Sequence, residues 1–385
     1  MKKSLFALAA MGAFAGGAQA QSSVTVYGLI DMGITSISTD NTARSGGAVT
    51  NATVTNTGNN GQMSGSRLGF RGVEDLGGGN TAGFTLEMAP DFTEQVNGIQ
   101  AGTRLGFLSL NNKQMGGLSI GRQLSTTKAV NDNFTAFGAS SFATGNVTGS
   151  GLSSATMSQS TASTSAAVSN AATQGGLTNA NGGERISNLI RYTTPNFSGI
   201  TASAGIYKNA TSNSGTAAVI IGDANGEGTD FGVRYTAGAI DAMAGYSTYS
   251  TTNGTNFDFS VKNTVMSLGA SYDAKVVKGF VTYNKRDHDV PGAAVGIVKF
   301  TDVTVGINVP VGKTNLLVAY GNGTDEGNTI KNDKSGFQVG AVHNLSKRTN
   351  IYAAYGAGKV EMSTGTPTNS KVTDSGMTAG IRHTF

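Results

Sequence analysis

Apolar residues recur at every second position in short stretches along most of the chain. In SRLGFRG, Leu68 and Phe70 alternate with Arg67, Gly69 and Arg71. Leu105 and Phe107 alternate with Arg104 and Gly106, and Phe231, Val233 and Tyr235 with Gly232 and Arg234. Val303, Val305, Ile307 and Val309 oppose Asp302, Thr304, Gly306 and Asn308; Met266, Leu268, Ala270 and Tyr272 oppose Ser267, Gly269 and Ser271. The last ten residues do the same, with Met377, Ala379, Ile381, His383 and Phe385 on one parity and Thr378, Gly380, Arg382 and Thr384 on the other. A period of two predicts β-strands with one apolar face. The polar face carries Gly, Ser, Thr, Asn and Arg rather than the Lys and Glu of a soluble sandwich. The apolar face often ends in an aromatic residue (Tyr192, Tyr235, Tyr272, Tyr283, Tyr320, Tyr355, Phe385), as in an aromatic girdle at a membrane interface.

The connections fall into two kinds. Short ones lie at 75–79, 111–117, 194–199, 237–240, 273–278, 310–313 and 344–348. Long ones lie near 38–65, 90–102, 124–184, 209–229, 251–262, 286–298, 323–334 and 359–375. The two kinds alternate, and together they join sixteen strands. After the first twenty residues there is no apolar run long enough for a spanning helix. If the chain spans a membrane, every backbone polar group must be paired within the protein, which leaves a closed barrel. The predicted fold is therefore all-β: a transmembrane antiparallel β-barrel of about sixteen strands, with short periplasmic turns and long extracellular loops. A closed barrel has no edge, so the terminal strand is expected to pair with SSVTVYGLIDMGITS near the start.

Composition supports export. Lys2 and Lys3 precede an apolar run from Leu5 to Ala18, and Ala18-Gln19-Ala20 reads as a cleavage site. Residues 1–20 are read as a signal peptide and 21–385 as the barrel. Loss of Lys2 and Lys3 lowers the formal charge from +4 to +2, too little for a nucleic-acid-binding protein. Charged residues make up only 13% of the chain, and there is no Cys to form a disulfide or a zinc site. His288, His343 and His383 are far apart, with no zinc-protease spacing, so no metal, cofactor or enzyme chemistry is expected. The third long connection, 124–184, holds a Ser/Thr/Ala-rich centre and an apolar flank with Asp132, Phe134, Phe137 and Phe142. A connection of this length is either functional or disordered. The flank 125–142 is expected to fold into the lumen and narrow it, with 150–180 mobile.

SSVTVYGLID, SRLGFRGVEDLGGG, GGLSIGRQ, RISNLIRYTTPNFSG and the terminal GIRHTF together resemble the general porins of Gram-negative bacteria, closest to the trimeric sixteen-stranded β-proteobacterial type. The resemblance implies an outer-membrane location, a water-filled channel for small hydrophilic solutes and ions, and a homotrimer in outer-membrane lipid. It also implies a third loop that sets the pore size and a terminal Phe385 read by the barrel-assembly machinery.

By parity Arg67, Arg71, Arg104, Arg191, Arg234 and Arg382 face inward, against inward acids Asp31, Glu87 and Asp302. Arg122 shares the parity of Ile120, and a bend would be needed to turn it inward. In the resembled family an arginine cluster faces acids of the third loop. Carried over, Arg67, Arg71, Arg104 and Arg122 would line the constriction with Asp132 as their acidic partner, and Arg191, Arg234 and Arg382 would be secondary lining residues. Six inward arginines against three acids predict a mild anion preference. Asp91, Glu94, Asp223, Glu227 and Asp230, read as loop acids, could offset it. The alternatives are an exported adhesin, which shows no fixed repeat here, and a substrate-specific channel, which would need a row of inward aromatics.

Overall fold

A computed structural model describes residues 23–385 apart from 44–49, 61, 91–101, 139–184, 210–224, 253–259, 290–296, 328–329 and 365–369. The expected signal segment, and the third connection beyond residue 138, lie outside the described residues.

The strands are β1 (Ser23–Ala43), β2 (Thr50–Asn60), β3 (Arg67–Gly77), β4 (Asn80–Ala89), β5 (Gly102–Asn112), β6 (Gly116–Leu124), β7 (Arg185–Thr193), β8 (Ile200–Asn209) and β9 (Asn225–Ala237). They continue with β10 (Ile240–Thr252), β11 (Ser260–Asp273), β12 (Lys278–Asp289), β13 (Ile297–Val311), β14 (Thr314–Gly327), β15 (Ile330–Asn344), β16 (Thr349–Thr364) and β17 (Ser370–Thr384). A helix, α1 (Thr126–Asn133), follows β6. Each strand pairs antiparallel with its neighbours. β17 closes on β1 from Leu29↔Thr384 to Ala43↔Ser370. β2 and β3 both pair with β1, one above the other, and so form two lengths of a single stave. Counting them once, the seventeen strands make a closed ring of sixteen staves.

The alternation is inside out relative to a soluble protein. Val24, Leu108, Leu110, Ile206 and Met377 are more than half exposed on the outer face, whereas Asp31, Asp230 and Ser267 have no exposed surface. A face that turns apolar side chains outward all round the ring requires hydrocarbon as its solvent. On β1 the outward apolar residues run from Val24 to Ile34. That length matches the ~9–11 residues a tilted strand needs to cross the hydrocarbon core. Beyond it Ser36 and Ser38 hydrogen-bond Thr55 and Thr53 across to β2, at 3.1 and 3.2 Å.

The seven short turns lie where the alternation places them. Gly77, Gly78 and Gly79 all take positive φ (80°, 61° and 82°), a conformation glycine alone adopts without steric cost. Some of the long connections are shorter than expected. Strand structure continues to Ala43 and resumes at Thr50 within 38–65, and it continues to Gly327 and resumes at Ile330 within 323–334. Glu227, Asp230 and His288, read as loop residues, belong to strands. Above the apolar band both faces of a strand meet polar surroundings, so the alternation that marks strands is lost there.

Candidate functional site

The polar faces enclose a lumen, and the chain after β6 folds into it. Ser125 caps α1, its Oγ accepting the Lys128 N–H at 3.1 Å. An eight-residue helix is not stable alone, and this one is stitched to the barrel wall. Its first residue rests on Asp230 of β9. That carboxylate accepts the Thr126 N–H and hydroxyl, both at 3.0 Å, the Ser247 hydroxyl at 2.7 Å, and Arg191 Nη2 at 2.6 Å. A carboxylate at the helix start also suits the positive end of the helix dipole. Farther along, Asn131 and Asn284 of β12 exchange a pair of amide hydrogen bonds at 3.0 and 2.9 Å. Asn284 also donates to Asp302 Oδ2 at 2.9 Å.

Small residues make room for the segment. Gly232, Gly245, Gly269, Gly306 and Gly340 lie on the inner faces of β9, β10, β11, β13 and β15, directly beneath it. A Cβ at Gly245 would come within 2.7 Å of the Thr126 and Thr127 backbone, and one at Gly269 would run into the Phe134 ring and Val130. The track ends where Phe137 enters an apolar cluster with Met63, Leu317, Ala319, Val342, Tyr352 and Ala354. Sixteen staves give a lumen wide enough for water, and this segment narrows it from the β9–β15 side.

Half the ring away from α1 is a basic wall. Arg67 donates to Ser64 Oγ at 2.7 Å, and Arg71 lies over the Tyr27 ring at 5.5 Å. Arg104 pairs with Glu87 at 2.7 Å, and the Tyr27 hydroxyl donates to the same carboxylate at 3.2 Å. Arg382 sits opposite Asp31 in register. Among the described residues Arg67, Arg71 and Arg382 form no ion pair. Asp132, at the end of α1, pairs with Lys128 at 2.8 Å.

Two expected placements need correction. On β5 the faces are the reverse of those read from parity: Leu108 and Leu110 point outward, while Phe107 is in register with inward Thr85. Arg104 reaches the lumen because a bulge between Glu87 and Met88 of β4 makes it the extra residue on β5. Arg122 is in register with outward Gly106, and it donates to Thr103 O at 2.8 Å and Ser187 Oγ at 2.7 Å. No bend turns it inward, because the bulge beyond Gly121 leaves Gln123 as the buried residue. Arg191 is tied to Asp230 as above, and Arg234 is held by Asp241 through two bonds of 2.9 and 2.6 Å. These two arginines are therefore paired within the wall.

A porin family model matches residues 7–362, described as Gram-negative porin. The chain belongs to the Gram-negative porin family. An outer membrane porin protein of Delftia acidovorans is 31% identical over 91% of this chain and 88% of its own length. One of Bordetella pertussis is 28% identical over 93% and 94%. Among solved structures, an anion-selective porin from Comamonas acidovorans superimposes with a TM-score of 0.66 at 25% identity, covering 94% of this chain and all of that one. The protein is thus an outer-membrane channel, as the resemblance implied, and its sixteen-stave barrel superimposes on that of a porin.

Sequence reasoning missed the parts of this porin that place its in-folded segment. Asp230 adjoins the long connection expected at 209–229, and a glycine on a polar face carries no local mark of what packs over it. The glycines share the inward parity on five different strands, but only the strand register brings them into one track.

Proposed function

We propose that the porin is a water-filled pore for small hydrophilic solutes with a mild preference for anions, assembled as a trimer in outer-membrane lipid. The single supporting observation is the imbalance of partners in the lumen. Glu87, Asp132, Asp230 and Asp241 each face a cationic partner, whereas Arg67, Arg71 and Arg382 have none among the described residues. Asp31 and Asp302 are held by neutral donors and moderate the excess, which keeps the preference mild. Arginine suits such a wall because its charge does not titrate away. The anion selectivity named for the Comamonas porin agrees with this reading. Phe385 lies at the seam where the barrel closes. Its backbone exchanges two 3.1 Å hydrogen bonds with Gly28, and its ring packs over the Gly28 Cα, where any side chain would collide.

The test is the reversal potential across a planar bilayer under a KCl gradient. Arg67→Ser with Arg104→Ser should move it toward cation preference, since the pair of substitutions removes two cations and leaves Glu87 unpaired. An unchanged potential in channels of normal step size would remove these residues from the conduction path.

A further inference from the structure

Between the pairs Leu29↔Arg67 and Met32↔Asn60, β1 spends two residues and the facing stave spends six, 61–66. The described part, Gln62 to Ser66, does not bulge toward lipid. Gln62, Met63, Ser64 and Ser66 are buried, and Met63 lies in the lumenal cluster that receives Phe137. One fully buried residue organises the turn. Asp31 Oδ2 accepts the N–H groups of Met63 and Ser64 at 2.9 and 2.7 Å, while Oδ1 accepts the Tyr352 hydroxyl at 2.6 Å. Ser66 Oγ replaces the missing ladder partner, accepting the Asp31 N–H at 3.0 Å and donating to the Asp31 carbonyl at 3.2 Å. Thr35 donates to Gln62 Oε1 at 2.8 Å. Tyr352 reaches Asp31 from β16 by lying across β17, over Gly33 and Gly380, where added side chains would meet its ring or hydroxyl.

We infer that residues 62–66 are a second lip of the constriction, fixed by Asp31 and latched to the in-folded segment through Met63 and Phe137. Asp31 is then a positioning residue. Its carboxylate gathers donors from two directions, the turn on one side and the β16 wall on the other, and so ties the lip to the seam where the barrel closes. Ser64 carries the consequence to the conduction path, because it is the hydroxyl that holds Arg67. The segment after β6 is anchored at its start by Asp230 and at its far end by this lip. The narrow part of the pore is thus bounded by two pieces of chain that brace each other. The inference rests on the porin reading and adds residues to it.

The experiment uses the full-length porin in planar bilayers, with heat-modifiable gel mobility as the check of folding. Tyr352→Phe deletes one oxygen and no charge, and Met63→Ala deletes the latch contact. Both should keep the reversal potential and lose the single steady open level, with more open-channel noise and added larger levels. The chain has no cysteine, so Met63→Cys with Phe137→Cys supplies a clean cross-link. Oxidised by copper–phenanthroline, the folded pair should form a disulfide without lowering the step size. Placed in the Tyr352→Phe background, the same disulfide should restore the steady level, and reduction should abolish it again. Steady steps of normal size in both single variants would overturn the latch while leaving the channel intact.

Discussion

Asp230 has no exposed surface, yet it carries a charge, a helix start and an arginine. A buried carboxylate of this kind holds only while every partner is in place, and its removal leaves the cation buried alone. Asp230→Ala should therefore destabilise the barrel by about 3–5 kcal/mol, the usual cost of breaking a buried pair from one side. Asp230→Asn, which keeps an acceptor for Thr126, should cost less. Thermal loss of the β-sheet circular dichroism signal in detergent measures both, and equal midpoints for the two variants would reject the hydrogen-bonding part of the argument. At this scale, parity in the sequence suffices for Arg67, Arg71, Arg191, Arg234 and Arg382, all of which point into the lumen. It misleads at Leu105 and Phe107, which face the lumen, and Arg104 keeps its expected inward position only through a bulge. At Arg122 parity was right, and the bend needed to override it does not occur. One inserted residue flips a face, and no local signal in TRLGFLSL marks it.

The in-folded segment is an element whose sequence does not describe its path. The expected inward fold of 125–142 holds for the described part, to Gly138, and its apolar residues Val130, Phe134 and Phe137 are buried. Where it runs is decided by glycines on five other strands. Gly245→Val would place methyl groups in the space taken by the start of α1. The helix must then lift from the wall, and the expected result is a folded barrel with an altered conductance level and reduced thermal stability. Overpacking of this kind costs about 1–3 kcal/mol, with more where backbone is the obstacle. Wild-type conductance and stability in Gly245→Val would show that the segment does not lie on this track. The strands themselves were legible at their short-turn ends, where one side meets lipid and the other water. At their far ends water lies on both sides and the pattern fades.

For the whole molecule, the outer surface divides into an apolar band and a charged collar. On β14, Leu316, Val318 and Tyr320 form part of the band, and Glu326 lies beyond it on the same face. Asp287, Lys299, Glu326 and Lys331 follow one another in register across β12 to β15, an alternating row of charges outside the aromatic residues. Such a row belongs in water or among headgroups, since charge on the lipid face is costly at depth. The chain has no tryptophan, so single replacements report directly. Val318→Trp should be strongly quenched by lipids brominated in their acyl chains, and Glu326→Trp should not. Comparable quenching at both would place the collar within the hydrocarbon. The sequence by itself determined the barrel, its stave number and, β5 excepted, the side of the patterned strands that meets lipid. These follow from a period of two and from the need to pair every backbone group in a membrane, and both requirements are local and repeated along the chain. Only the tertiary structure decided which arginines keep a free charge, where the in-folded segment lies and how Asp31 gathers its partners. Those outcomes depend on residues hundreds of positions apart, such as Asp31 with Tyr352, and on bulges that shift register by single residues. Charge and packing act through distance in space, and distance in space is set by register around the closed ring.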